Sequence, residues 1–123
     1  MSVSNNWIEE TRQRFPAMFA NTHPFNFECG IGWKSIINDL CEQILAIEPT
    51  VTVAQIKEKF GTLRFYIGAC PNETYEQVHK LIRTAEAISG VTCEDCGQPG
   101  TPQKGGWLRT LCDGCAERHR SRP

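Results

Sequence analysis

The stretch VTVAQIKEKFGTLRFYIG at residues 51–68 decides how the rest of the chain is arranged. Its apolar residues recur at every second position, which is the period of a β-strand. The pattern predicts two antiparallel strands, at about 51–59 and 62–68, joined by a turn near Phe60 and Gly61. The residues expected to face the core are Ala54, Ile56, Leu63, Phe65 and Ile67.

The opposite face of this hairpin concentrates basic and aromatic side chains. Arginine can bind phosphate or carboxylate through two hydrogen bonds, lysine supplies a compact charge, and tyrosine can stack on a ring. This chemistry predicts a surface that binds a small anionic ligand of the nucleotide type. The alternative is a solvated edge whose charges prevent aggregation. The predicted ligand-binding residues on this face are Lys57, Lys59, Arg64 and Tyr66.

Helical patterns flank the hairpin on both sides. Apolar residues at 33–45 and at 78–88 recur with the three- and four-residue spacing of amphipathic helices. A further helix is predicted at 4–19, where a proline would end or kink it. Because a two-stranded sheet is marginal alone, these helices would cover its apolar face. The element order predicts an α+β domain over residues 1–90, with the β-hairpin at 51–68.

Four cysteines form the most specific motif in the sequence. CEDC at 93–96 and CDGC at 112–115 are two C-x2-C pairs separated by fifteen residues, a spacing typical of zinc sites. Four thiolates would close a tetrahedral shell, so the predicted Zn²⁺ is structural and has no open position for a reaction. The predicted ligands are Cys93, Cys96, Cys112 and Cys115, with His119 as a spare candidate.

The remaining C-terminal pattern predicts that residues 91–123 are a zinc-binding module. A cysteine knuckle, a glycine-rich turn with a short strand, and a helix near the second pair resemble a zinc ribbon or a treble clef. Zinc binding to such sites contributes roughly 10–16 kcal/mol, so the metal would decide whether the module folds. Disulfides are the alternative, but the N-terminus MSVSNNWIEE lacks an export signal, which favours reduced thiols in a cytoplasm.

Composition and charge restrict the classes of function. The formal net charge is −1, and a zinc ion held by four thiolates would make it more negative. This argues against a protein that binds nucleic-acid backbones generally. No apolar run is long enough to predict a membrane span. The sequence shows no Ser/His/Asp arrangement, HExxH motif or P-loop, so we expect a protein that is not an enzyme.

The stretch ECGIGW at residues 28–33 leaves two interpretations open. Backbone amides ahead of a helix can hold an anion, and Trp33 could stack on a ligand there. In the other interpretation the glycines form a tight turn and Trp33 anchors the core. We include Trp33 among the predicted ligand-binding residues.

Four segments of the chain, taken together, form a recognisable combination of motifs. They are ECGIGW, QIKEKFGTLRFYIG, AEAISGVTCEDCGQPG and GWLRTLCDGC. Over about residues 26–116 they resemble a family of small, mostly uncharacterised proteins of tailed bacteriophages and prophages. The basic residues of the hairpin and Trp33 match the family pattern. Many members have a histidine at the position of Cys115, a change that keeps a metal-binding group.

The resemblance implies a role in the cytoplasm of a bacterial host, against bacterial immunity. The leading hypothesis is a non-enzymatic anti-defence protein. Such a protein acts as a sponge, because it sequesters a nucleotide second messenger at the predicted ligand-binding residues. In the alternative, the zinc module binds a host defence protein or nucleic acid through Trp107, Arg109 and the basic tail. This tail consists of Arg118, His119, Arg120 and Arg122. The ligand, the oligomeric state (a homo-oligomer included) and the roles of Cys29 and Cys70 stay open.

Overall fold

The computed structural model of the 123-residue chain describes residues 6–20, 27–103 and 108–120. Helices and two small antiparallel sheets make up this part, which confirms the α+β class. The elements are α1 (Asn6–Arg14), α2 (Pro16–Phe19), a 3-10 turn (Ile31–Trp33), α3 (Lys34–Ile47), β1 (Val53–Lys59), β2 (Thr62–Ile67), α4 (Asn72–Ser89), β3 (Thr101–Gln103), β4 (Arg109–Leu111) and α5 (Asp113–Arg120). The division into two domains near residue 90 stays a prediction.

The central hairpin turns where the sequence predicted. β1 and β2 pair antiparallel and are connected by Phe60 and Gly61 alone. Both residues have positive φ, 56° and 85° respectively, as in a type I′ turn, whose twist matches that of the paired strands. Gly61 adopts this conformation without a steric penalty, whereas Phe60 is a bulky residue in the left-handed region. The turn therefore sets the register of the hairpin.

The first strand departs from the predicted alternation near its start. A β-bulge lies between Val53 and Gln55. As a result Val53 and Ile56 are both buried and Ala54 is exposed. The prediction that Ala54 faces the core was therefore wrong, because one extra residue in a strand reverses the alternation beyond it. The three apolar positions predicted on β2 do pack in the core.

A single apolar cluster joins the hairpin to the helices around it. The helix predicted at 4–19 is two short helices that break ahead of Pro16, while α4 packs on the hairpin and α3 packs on α4. Each large apolar side chain that is fully buried contributes roughly 1.5–3 kcal/mol. The most deeply buried members include Trp33, Ile37, Ile44, Ile56, Leu63 and Val78. Within the described ranges, no helix is both long and apolar enough to cross a membrane.

Both edges of the β1–β2 sheet are covered by the chain itself. Two N–H groups of β2 donate to Ser89 Oγ and Glu86 Oε2 on α4, at 2.7 and 3.2 Å. On the other side, Glu28 forms a parallel bridge to β1 through two backbone hydrogen bonds of 2.9 Å. Unpaired strand edges invite aggregation. Because these edges are already covered, preventing edge pairing is a weaker explanation for the charges of the hairpin.

Candidate metal centre and hairpin face

Four cysteine sulfurs meet in the C-terminal part of the chain. The Sγ atoms of Cys93, Cys96, Cys112 and Cys115 all lie within 4.8 Å of one another, and those of Cys96 and Cys112 are 3.6 Å apart. A tetrahedral ion with metal–sulfur bonds of about 2.3 Å separates its sulfurs by about 3.8 Å. The four residues, called the metal cluster below, are therefore positioned to hold a metal ion, as the spacing predicted.

The two cysteine pairs are placed by different local structures. The first pair lies on a knuckle closed by a 2.9 Å hydrogen bond from Gly97 N–H to Cys93 C=O. In the second, Cys112 precedes α5 and accepts a 3.4 Å hydrogen bond from Cys115 N–H in the first helical turn. This hydrogen bond, and then the Cys96 thiol, lower the pKa of Cys112 to about 7. The order of knuckle, β3–β4 hairpin and helix matches the treble-clef-like alternative.

Arg118 lies beside the metal cluster. Its Nη2 donates a 2.9 Å hydrogen bond to Cys115 Sγ. The sequence placed this arginine in a basic tail that could contact nucleic acid, whereas the structure directs its charge at a sulfur. A cation there offsets part of the negative charge of four thiolates, so Arg118 supports metal binding.

Replacing Arg118 with alanine is expected to weaken metal binding about tenfold, because donors to metal ligands typically contribute 10–100-fold to affinity. Competition for zinc against a chromophoric chelator measures this. Arg83→Ala is the matched control, since Arg83 lies on the surface of α4 and pairs with Glu76 at 3.9 Å. Equal zinc affinity of the Arg118→Ala and Arg83→Ala variants would contradict the role.

A charged network joins α5 and β4 to the first knuckle. Asp95 Oδ2 lies 2.6 Å from His119 Nε2, and Asp95 Oδ1 accepts a 3.0 Å hydrogen bond from Arg109 Nη2. Arg109 also lies 3.6 Å from Glu94 Oε1. These contacts correct two expectations: His119 contacts Asp95 rather than joining the metal cluster, and Arg109 contacts the protein's own carboxylates rather than facing a partner. Trp107 and the chain beyond residue 120 lie outside the described residues.

Residues 28–33, called the strap below, pack against the first knuckle. Gly32 N–H donates to the backbone carbonyl of Glu94 at 2.7 Å, and Gly30 N–H donates to its Oε2 at 2.9 Å. A Cβ atom at Gly32 would lie 2.2 Å from the carbonyl oxygen of Cys93, so the close approach requires glycine. Burial raises the pKa of Glu94, an effect that nearby Arg109 and Gly30 N–H oppose. The amides that the sequence suggested for an anion thus both bind Glu94, that of Gly30 through the carboxyl group and that of Gly32 through the backbone carbonyl.

Trp33 does not belong to a ligand surface. Its side chain has no exposed area, and it packs in the same apolar cluster as the core side of the hairpin. Its Nε1–H donates a 2.9 Å hydrogen bond to Thr92 C=O. The structure therefore corrects the inclusion of Trp33 among the ligand-binding residues and supports the other interpretation, an anchor of the core.

The register brings the other predicted ligand-binding residues onto one face of the hairpin. We call this face the hairpin face below. Its residues form three cross-strand pairs, which are Lys57–Arg64, Lys59–Thr62 and Gln55–Tyr66. Directly paired residues of antiparallel strands point to the same side, with Cβ atoms about 4.5–5.5 Å apart. The two central cations therefore lie side by side.

The cations of the hairpin face have no carboxylate partner in the described part of the chain. There, none of Lys57, Lys59 and Arg64 forms an ion pair, although Glu28 adjoins Lys57 across the parallel bridge. Arg64 Nε is shielded from water and finds no hydrogen-bond acceptor among these residues. Like charges placed directly opposite are destabilising, and a buried donor left unpaired costs about 1–3 kcal/mol. An anion between the two side chains would offset the repulsion.

Exposed aromatic surface adjoins these cations. Tyr66 is 46% exposed, and Phe60 at the tip of the turn is 67% exposed. Lys59 Nζ lies 5.5 Å from the centroid of the Phe60 ring. Sequence reasoning omitted Phe60, although a bulky aromatic residue where type I′ turns favour Asn or Gly was the available signal.

Two of the remaining cysteines are unreactive thiols. Burial raises the pKa of Cys29 and Cys41 to about 12, so both are protonated at neutral pH and poor nucleophiles. Cys70 Sγ lies 3.9 Å from the hydroxyl of Thr74.

No protein-family model, curated protein or solved structure matches this chain. The metal cluster and the hairpin face are therefore the features from which a function can be argued.

Proposed function

We propose that the protein binds a small phosphorylated ligand of the nucleotide type on its hairpin face and sequesters it unchanged. The direct pairing of Lys57 with Arg64, without a carboxylate partner for either in the described ranges, carries this proposal. The lysine and the guanidinium can bind one phosphate group from two sides. Tyr66 offers an exposed ring on which a base can stack.

The metal ion in this proposal is Zn²⁺ with a structural role. A set of four thiolates suits zinc, and a closed shell leaves no position at which a substrate could bind the ion. The hairpin face, and not the metal, is then the surface that meets the ligand.

The anti-defence role in a bacterial host rests on the resemblance to proteins of tailed bacteriophages. A net charge of −1 supports capture of a small ligand over binding along a nucleic-acid backbone, which requires an excess of basic residues. The alternative, a zinc module that binds a host protein or nucleic acid, has less support. Two of its expected contacts, Arg109 and Arg118, engage Asp95 and Cys115 of the chain itself.

Titration calorimetry against cyclic dinucleotides and ADP-ribose-type nucleotides tests the proposal. We expect saturable binding of at least one of them at about 100 μM, a concentration well above the Kd of an effective sponge. Arg64→Gln should weaken this binding at least about tenfold, the loss expected when one charge-assisted hydrogen bond is removed. Arg83→Gln, a surface arginine on α4, is the matched control and should bind normally.

Absence of binding to every nucleotide of the panel would refute the proposal. Unchanged affinity of the Arg64→Gln variant would refute the site. Chromatography of the recovered nucleotide provides a further check, since conversion of the nucleotide would contradict sequestration without chemistry.

A further inference from the structure

We infer that metal binding at the four cysteines controls whether the hairpin face can bind its ligand, and that the strap carries this control. The part of this inference that concerns ligand binding rests on the proposed function. The coupling between the metal cluster and the hairpin is a separate physical claim that can be measured without any ligand.

The first link joins the metal cluster to the strap. Three groups of the strap donate hydrogen bonds to this region. Two backbone N–H groups donate to Glu94, and the indole N–H of Trp33 donates to Thr92 C=O. These two acceptor residues flank Cys93, the first metal ligand. In the described part of the chain, the buried members of the C-terminal apolar cluster are Cys93, Leu111, Cys115 and Ala116, so two of these four are metal ligands. Thr92 is also tied to the end of α4 by hydrogen bonds to Ser89 C=O and Ile88 C=O, at 3.2 and 2.7 Å. The two acceptors of Glu94 lie inside the knuckle between Cys93 and Cys96, so their position depends on the metal.

The second link joins the strap to the hairpin face. Glu28, the first strap residue, donates its N–H to Ile56 C=O and accepts a hydrogen bond from Glu58 N–H, both at 2.9 Å. These two bonds lie on either side of Lys57 and hold its backbone at the edge of the sheet. The turn and the β1–β2 pairing place Lys57 opposite Arg64, and an ordered strap fixes the Lys57 backbone from the other edge.

A third link joins the zinc module to the tip of the hairpin. Thr110 on β4 donates a buried 2.6 Å hydrogen bond from its Oγ1 to the backbone carbonyl of Gly61. The hairpin is thus held by the strap at one edge and by the metal-binding part of the chain at its turn. Since binding free energies are reciprocal, a ligand on the hairpin face raises metal affinity by the same factor by which the metal raises ligand affinity.

Hydrogen–deuterium exchange of the full chain, zinc-loaded and metal-free, tests the coupling directly. On metal removal we expect exchange at the amides of Gly30, Gly32 and Glu58 to rise at least about tenfold, a common size of coupling between linked sites. Amides in the middle of α4, such as that of Ile82, should exchange at the same rate in both states. Unchanged exchange at the strap and at Glu58 in the metal-free chain would overturn the inference.

A substitution in the strap tests the same link while every metal ligand stays in place. Gly32→Ala puts a Cβ atom 2.2 Å from the Cys93 carbonyl oxygen and leaves the cysteines and the hairpin face intact. In the zinc-loaded state it should raise Glu58 exchange and weaken ADP-ribose binding, each about tenfold. Gly114→Ala is the matched control, because a Cβ there meets no atom within 4 Å although Gly114 lies between two metal ligands. Normal exchange and binding in the Gly32→Ala variant would contradict the inference.

The outcomes separate this inference from the proposed function. If the zinc-loaded chain binds neither ADP-ribose nor a cyclic dinucleotide, the proposed function fails, and the exchange rates still decide the coupling. Equal binding of ADP-ribose by the zinc-loaded and metal-free chains would end the inference while leaving the proposed function intact. If Gly32→Ala does not fold, the two states of the unmodified chain provide the decisive comparison.

Discussion

Metal removal is expected to unfold β3, β4 and α5 while α3 and α4 stay folded. Among the described residues, the apolar cluster of the C-terminal part has four buried members, too few to hold it together. Zinc bound by four cysteines contributes roughly 10–16 kcal/mol at neutral pH, which exceeds what such a small core can supply. In a ¹H–¹⁵N spectrum, a chelator should move the signals of these three elements to positions typical of unfolded chains.

Single cysteine substitutions provide the matched comparison for metal removal. Cys96→Ser removes a ligand at an exposed position and should reduce the zinc content from one ion per chain. Cys70→Ser changes a half-buried thiol that lies outside the metal cluster, and it should leave the zinc content unchanged. Signals of β4 and α5 that stay dispersed in the chelated protein would show that the metal is dispensable for the fold.

Replacing Trp33 with alanine is expected to destabilise the protein by about 3–5 kcal/mol, the range for removing a large buried aromatic side chain. Trp33 has no exposed surface and lies in the apolar core that also contains residues of the hairpin and of α3. Its loss also leaves Thr92 C=O without the indole donor. Since small domains are stable by only about 5–15 kcal/mol, urea unfolding should show a large shift of the midpoint.

Tyr66→Ala is the control for this experiment. Tyr66 is 46% exposed, so its removal should change the free energy of unfolding by less than about 0.5 kcal/mol. It should nevertheless weaken ligand binding, because the ring on which a base stacks is lost. A Trp33→Ala variant as stable as Tyr66→Ala would contradict the assignment of Trp33 to the core.

Features set by neighbouring residues could be read from the sequence. The turn at Phe60 and Gly61 depends on the backbone angles of two residues, and strand alternation on each side follows from the pleat. The four cysteines were identifiable because the metal imposes its own spacing on each pair. The amphipathic periods of α3 and α4 predicted both helices, of which α4 packs directly on the hairpin.

Features that depend on distant parts of the chain could not be read in the same way. The bulge between Val53 and Gln55 exposes Ala54 and has no local signal in this sequence. Glu94 binds the amide of Gly30, a residue 64 positions away, and nothing in either segment indicates the other.

The amino-acid sequence alone determined the α+β class, the position of the hairpin turn and the set of thiols that can hold a metal, since each follows from short-range geometry or from the chemistry of one ligand set. Tertiary structure alone decided that Trp33 is core, that Arg109 and His119 contact Asp95, and that Lys57 lies beside Arg64 with no carboxylate partner among the described residues. Which charge meets a partner depends on the packing of segments far apart in the chain. Only the folded backbone brings those segments together.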